Sequence, residues 1–568
     1  MQNSLSINSL RCILSTALCL FTSTLFAQTP WPATDHLGRS LPLHEETGPI
    51  KNDRTVGIFY FLWLGEHSTS GPHDLSKIGN KLAKPGIFHH WAEPEHGYYY
   101  SRDPWILRKH ATQLSDAGVD FVALDATNAY VYAREVDALC QTWLQMRKEG
   151  LKTPKITFLT NSNHIRTVNK IYDRIYKTGK YKSLWFHWQG KPLLMANPEG
   201  LSPEQKSFFT LRRSWAWSKG HKWFGDGKDK WPWLDHTPQT PGWNTPGQPE
   251  FMTAAVAQHP ISNIGRSHQN KTQPSPRETK SSEGLYFQEQ WDHILKIDPE
   301  IAFITGWNEW VAQRFLFTPG KGAHKMMGKK LTKGDSYFVD CYNLEFSRDI
   351  EPMKGGYQDA YYYQMMANIR RFKGSPSLPS PLPHQEIAID GKFDDWSEAL
   401  RFKDPLHDTA HRKQEGWAGK IYTETSGRND FANIRVATQE KTVSFLLHTR
   451  APLTTSQGDH WMILLIDADQ NPATGWHGYD YVLNRTRQGN TASLEKLDRS
   501  GKCSGARYVP FAAENNMLEL QIPLLPGWVD NLAFDFHAAD NAPFSEQFFT
   551  EGDHAPNRRF NYRFQTSN

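Results

Sequence analysis

Two hydrophobic regimes divide the chain. Up to about residue 374, short apolar, β-rich runs alternate with longer stretches of helical spacing. The runs at 56–62, 119–124, 156–159, 193–196, 211–217, 252–257 and 301–305 predict strands buried on both faces. Between them, 103–117, 134–149 and 285–297 carry apolar residues three and four apart and predict amphipathic helices. Seven or eight such units in roughly 340 residues predict an α/β fold, a (β/α)8 TIM barrel over 28–374, whose active site would lie at the C-terminal ends of the strands. A doubly wound sheet is disfavoured because no G-x-G-x-x-G follows the first strand.

Residues 375–384 hold four prolines and no periodicity, and read as a stiff linker. Beyond them, 434–438, 442–449, 461–467, 479–483, 517–522 and 531–537 alternate apolar and polar positions between Gly, Pro, Asn and Asp turns. That pattern predicts an antiparallel β-sandwich over 385–568. Each half is expected to have its own core, so that a chain ending near residue 372 folds.

The amino terminus changes the picture of where the chain works. Arg11 precedes the apolar stretch 12–21 and a Ser/Thr segment leads to Ala27, the pattern of a secretory signal peptide over 1–27. The expectation is export, to the periplasm, the cell surface or the medium. Past that segment only Cys140, Cys341 and Cys503 remain, too few and too far apart for a disulfide framework or a zinc site. No apolar run is long enough to span a bilayer in the mature chain. The 64 Lys+Arg against 60 Asp+Glu form no dense basic block, so nucleic acid is not expected as a partner. Aromatic residues make 13% of the chain, and their flat faces suit the C–H faces of sugar rings. A poly- or oligosaccharide partner is favoured, with large aromatic cores as the alternative source of that composition.

The strongest chemical signal is the run from Ile301 to Trp310, where an apolar strand passes through Gly306 to Trp307, Asn308, Glu309 and Trp310. A carboxylate buried beside indoles has a raised pKa, the condition for a general acid. Asn308 could orient it or a sugar hydroxyl; alternatively, Glu309 closes the barrel by bonding a neighbouring strand. Asp125 is the first polar group after the run at 119–124 and is the candidate second catalytic carboxylate, while Asp120 at the other strand end reads as structural. A loop cluster, Glu345, Arg348, Asp349, Glu351 and Lys354, could bind sugar or form a salt-bridge network. Rim candidates for substrate binding are Trp63, His90, Trp91, Glu93, Asn128, Trp233, His236, Gln239, Asn308, Trp310, Arg348 and Glu351. Glycosidic cleavage uses two carboxylates and requires no cofactor.

These residues carry a resemblance. Gly57-Ile58-Phe59-Tyr60-Phe61-Leu62-Trp63, His90-Trp91-Ala92-Glu93-Pro94, residues 116–125, Gln189-Gly190-Lys191-Pro192-Leu193-Leu194 and above all Trp307-Asn308-Glu309-Trp310 resemble the superfamily around the endo-α-mannosidases of glycoside hydrolase family 99. Its relatives include the α-1,3-glucanase family 71 and bacterial glycan-assembly proteins. The resemblance implies a secreted glycoside hydrolase, with Glu309 matching the first carboxylate of the family's Asn-Glu-Trp motif. The family's second acid, three positions on, is Ala312 here, and Ile350-Glu351-Pro352 follows only after an insertion of about 35 residues, so the second carboxylate would come from Asp125, or from Glu345, Asp349 or Glu351 on the reshaped loop. A catalytically silent glycan-binding protein and, less favoured, a glycan-assembly enzyme are therefore alternatives. The C-terminal half resembles family 9 carbohydrate-binding modules in Asp390-Gly391-Lys392-Phe393-Asp394-Asp395-Trp396 and in the stretch containing Asp467, Asp469 and Asp480. The oxygen ligands of Asp467 and Asp469 suit structural calcium, or serve ordinary Asx turns.

Overall fold

The computed structural model describes residues 28–566 except 68–69, 80, 217–226, 381–383, 457, 459 and 529–531. The expected signal peptide lies outside the described residues, as does part of the linker.

Seven parallel strands build a curled sheet: β1 (Thr55–Tyr60), β2 (Phe121–Ala126), β3 (Lys155–Thr160), β4 (Lys191–Met195), β5 (Thr210–Arg212), β6 (Pro249–Ala255) and β7 (Ile301–Thr305). Their order is β5-β4-β3-β2-β1-β7-β6, and short antiparallel strands bring the sheet to nine. Every residue of β2 and β7 is buried, because the sheet is covered on both faces. The coarse architecture is a parallel-rich, TIM-like domain. Between β5 and β6 the ladder gives way to isolated parallel bridges, Arg213 to Lys230 and Ala216 to Leu234. The strand expected at 211–217 is correspondingly short.

The four longest described helices are α1 (Pro104–Asp116), α2 (Ala133–Lys148), α3 (Leu285–Ile297) and α4 (Ala360–Lys373). The start of α1 is fixed by Asp103, whose side chain accepts from Trp105 N, with Pro104 supplying a helical φ where no N–H is needed. Helix α4 is buried almost all round because residues 28–43 cover its outer side, with Arg370 donating to the carbonyls of Thr29, Trp31 and Pro42.

The second half is one mostly antiparallel sheet of eleven strands wrapped about its own core, which includes Phe402, Phe431, Phe445, Leu464, Phe534, Phe536 and Tyr562. Its long strand Cys503–Glu514 pairs with Thr491–Leu497 through residues 503–510 and with Met517–Pro523 through 511–514, so one strand turns the sheet around the core. The two cores meet in a tight seam. Trp417 and Phe560 belong to the barrel's cluster, and Trp417 N donates to Tyr98 O at 2.9 Å. Arg412 pairs with Asp103 at 2.8 Å, Arg558 holds Glu95 with two bonds of 2.8 Å, and Trp105 Nε1 donates to Ala410 O at 2.7 Å.

Candidate active site

The backbone after β7 is pinned before the site begins. Gly306 N donates to Arg348 O and Trp307 N to Phe59 O, each at 2.8 Å. The Asn308 amide is committed to β1's extension, accepting from Phe61 N at 2.9 Å and donating to Phe61 O at 3.1 Å. Position 306 is glycine for space: a Cβ there would lie 3.1 Å from the Phe61 ring. Strand Val311–Leu316 follows, pairing with Phe88–His90, and its Ala312 lies opposite His89.

Glu309 is 3% exposed. Its Oε2 accepts from Arg348 Nη2 at 2.6 Å, and Oε1 has no hydrogen bond among the described residues. Glu309 N donates to Asp349 Oδ1 at 2.5 Å, and Asp349 Oδ2 accepts from Trp91 Nε1 at 3.2 Å. Trp91 stacks on Trp310 with ring centres 4.6 Å apart. Burial pushes the Glu309 carboxyl well above its ordinary value, and Arg348 offsets this only in part. Burial likewise raises Asp349 to about 7. Arg348 also contacts Asp340 Oδ1 at 3.2 Å and lies over the Trp233 ring at 5.4 Å.

Asp125, at the C-terminal end of β2, is also buried. Its Oδ1 accepts from Thr127 N at 2.9 Å and Thr127 Oγ1 at 2.7 Å, leaving Oδ2 without a hydrogen bond among the described residues. Burial raises it to about 6 against the two Thr127 bonds; Asp340 raises it further and Arg348 lowers it. Asp125 and Glu309 thus lie in the field of the same Arg348–Asp340 pair. Two loop carboxylates are instead occupied. Glu351 accepts from Tyr99 Oη at 2.6 Å, from Trp310 Nε1, and from His110 Nε2 at 2.9 Å. Glu345 accepts from Ser267, Gln273 and Ser281.

The remaining rim candidates separate. Arg348 reaches the Glu309 carboxylate, Trp91 donates to the Glu309 carbonyl at 3.1 Å and stacks on Trp310, and Trp233 lies under the Arg348 guanidinium. Trp63 is buried against Phe61, His67 and Phe88. His90 is buried edge-on to Tyr98 and Trp417, where desolvation pushes it down to about 3. Glu93 bridges Lys77 and Lys354. Gln239 donates to the carbonyls of Thr253 and Gln290 inside the barrel wall, whereas Asn128 and His236 are exposed.

Sequence reasoning missed Asp340 and His259, which share the Arg348 field, and Arg266 behind them. Burial and Arg348 push His259 down to about 4. Arg266 donates to Ser347 Oγ at 3.1 Å and Asp349 O at 2.8 Å, with its guanidinium 4.4 Å from the Tyr361 ring centre. His259 lies four residues past β6, as Glu309 lies four past β7, so the polar position after the apolar run at 252–257 is the signal that could have found it; Asp340 follows the short strand Ser336–Phe338 in the inserted segment, and Arg266 lies in a loop where periodicity carries no signal.

In the second half, Asp467, Asp469 and Asp480 bring carboxylate oxygens within 4.8 Å of one another. Asx bonds are present as well: Asn471 N donates to both Asp467 and Asp469.

The chain is similar to a solved GH99 endo-α-mannosidase from Bacteroides thetaiotaomicron in complex with Bis-Tris propane, at 15% identity over 56% of this chain and 97% of that one, with a TM-score of 0.35. A second structure of the GH99 endo-α-mannosidase from that organism gives 15% identity over 57% and 99%, with a TM-score of 0.33. A protein described as glycoside hydrolase-like gives 11% identity over 61% and 98%, with a TM-score of 0.33. No family profile and no curated protein matches the chain.

Proposed function

We propose that this chain is a glycoside hydrolase acting on a poly- or oligosaccharide, with Glu309 as general acid and Asp125 as base or nucleophile. The observation that carries the reading is the Glu309 environment: a buried, pKa-raised carboxyl just beyond the end of β7, with one oxygen held by Arg348, whose guanidinium lies over the Trp233 ring, and with Trp91 donating to the Glu309 carbonyl. A raised acid and a second carboxylate poised near neutrality divide the two roles that glycosidic cleavage needs. Glu309 protonates the leaving-group oxygen, and Asp125 attacks the anomeric carbon or activates a water. Arg348 sets the orientation of Glu309. Ring closure of the barrel into (β/α)8 through residues 228–234, export directed by residues 1–27, and a carbohydrate-binding or spacer role for the second half belong to the same reading. So does structural calcium at the Asp467 loop, outside catalysis.

The test is Glu309→Gln on a panel of polysaccharides, read as new reducing ends. The expected loss is about 10²–10⁴-fold in a chain that still folds and keeps its glycan affinity. Glycan binding by the native chain without new reducing ends would replace the reading with a silent binding protein. Turnover dependent on a nucleotide sugar would replace it with glycan assembly.

A further inference from the structure

The inserted segment between Trp310 and Arg348 concentrates charge that neither Glu309 nor Asp125 uses. Residues 311–340 carry Arg314 and five lysines against Asp335 and Asp340, an excess equal to the formal +4 of the whole chain, so the remainder is balanced. Arg314 is spent on the fold, donating to Ser336 Oγ at 2.9 and 2.7 Å and to the Ala83 carbonyl. Lys321, Lys325, Lys329, Lys330 and Lys333 are exposed, and none of their ammonium groups has a hydrogen bond or ion pair among the described residues.

Their arrangement is unfavourable by itself. Strands Lys325–Met326 and Lys329–Lys330 form a hairpin that sets Lys325 directly opposite Lys330. Like charges in that register repel unless an anion lies between them. Other contacts hold the hairpin in place: Met326 is buried, and Met327 N, in the turn, donates to Pro260 O at 2.7 Å. Pro260 adjoins His259 beyond the C-terminal end of β6, and Asp340, at the far end of the segment, contacts Arg348 at 3.2 Å. The lysines are therefore tied to the same end of the strands as Glu309. At the base of the insertion Phe315 is 36% exposed and stacks on Tyr337 with ring centres 5.4 Å apart. An open aromatic ring takes the C–H face of a sugar, and unpaired ammonium groups take acidic substituents on it. A nucleic-acid duplex needs a longer basic stripe, which a chain balanced everywhere else does not supply.

We propose that the 311–340 segment selects an anionic polysaccharide, one bearing sulfate or carboxylate groups, by pairing those groups with Lys325, Lys329, Lys330 and Lys333. The inference rests on the hydrolase reading for placing a glycan at the barrel mouth, and adds to it the charge of that glycan. A bound polyanion relieves the repulsion between Lys325 and Lys330, and the basic hairpin raises the concentration of the polymer beside Glu309.

Binding is measured on the full chain carrying Glu309→Gln, so that turnover does not enter, against dextran, dextran sulfate, polygalacturonate and a DNA duplex. The chain should bind at least one of the two anionic glycans and not dextran, with affinity falling between about 50 and about 500 mM NaCl. Preference for dextran sulfate or for polygalacturonate tells sulfate from carboxylate. Lys325→Ser, Lys329→Ser, Lys330→Ser and Lys333→Ser together should weaken binding about tenfold or more with Tm retained. Lys148→Ser, Lys177→Ser, Lys206→Ser and Lys296→Ser, which remove the same charge at exposed positions outside the segment, should not. No binding of either anionic glycan, equal binding of dextran, tighter binding of DNA, or equal effects of the two quadruple variants overturns the proposal. So does a native chain that releases reducing ends from neutral polysaccharides alone. A chain that binds as expected and releases none keeps this inference and removes the hydrolase reading.

Discussion

Arg348→Met removes the guanidinium that holds Glu309 Oε2 at 2.6 Å and Asp340 Oδ1 at 3.2 Å, and leaves a side chain of similar length over Trp233. Arg348 and Glu309 are both nearly inaccessible to water, so solvent cannot replace the lost partner. Breaking a buried pair from one side costs about 3–5 kcal/mol at a pH where the orphaned carboxylate is charged. The sign of the pH dependence follows from linkage. Glu309's folded pKa lies above its unfolded value of about 4.3, so its stabilising contribution is complete below that value and is lost as pH rises through the folded one. Without Arg348 the folded value climbs further, each unit adding about 1.4 kcal/mol to the loss at high pH. Thermal melts of native and variant chains should therefore nearly coincide at about pH 4 and diverge only as pH rises through Glu309's folded value. Glu309→Gln in the Arg348→Met background should recover about half or more of the deficit at pH 8, because the neutral amide needs no counter-charge. A deficit of equal size at both pH values, or a double variant no more stable than Arg348→Met alone, would refute the claim that Arg348 acts on Glu309 through charge.

Three further outcomes are expected. Hydrolysis should rise with pH through about 6 as Asp125 ionises and stay high until Glu309 loses its proton; Asp125→Asn should abolish turnover, and a rate flat from pH 4 to 8 would exclude Asp125 as base or nucleophile. A chain ending at Gly374 should aggregate, because it uncovers the barrel face that Trp417 and Phe560 bury and leaves Asp103 and Glu95 without Arg412 and Arg558; a monodisperse, cooperatively melting fragment would show the halves to be independent. At the Asp467, Asp469 and Asp480 loop, millimolar CaCl2 should raise the Tm of the chain, and this rise should vanish in Asp467→Asn; an unchanged Tm leaves Asx turns as that loop's whole role.

What the sequence made legible follows from where the information lies. Strands β2, β3 and β7 are buried on both faces, so their burial is written as unbroken apolar runs, and α1 and α2 show their one buried face as a stripe. Glu309 and Asp125 stand out because each is a carboxylate at the end of such a run. Arg348 and Glu351 were visible only as a charged loop, with nothing local to say that one reaches Glu309 while the other accepts from Tyr99, Trp310 and His110. Asp340 and His259 come from loops far apart in the chain, brought to one place by tertiary folding that leaves no period in the sequence. The proline-rich stretch reads locally as a spacer, yet partners as distant as Arg412 and Asp103 close the seam around it.

The backbone of Glu309 explains why the loop carboxylates need not all be chemical. Glu309 is held from three sides: Asn308 grips Phe61, Trp310 N donates to the Asn308 carbonyl, and Glu309's own N–H donates to Asp349. Asp349 is in turn fixed by Trp91 Nε1, and the adjoining carbonyl by Arg266. A carboxylate placed this way keeps a fixed distance to Arg348 whether or not a ligand is present. Preorganisation of that kind is what a general acid requires, since the cost of orienting it is met during folding rather than in the reaction. The same frame accounts for Ala312: opposite His89 in an antiparallel pair, on the strand that follows Trp310, the position is buried wall beside Glu309, whereas Asp125 stands at the end of β2.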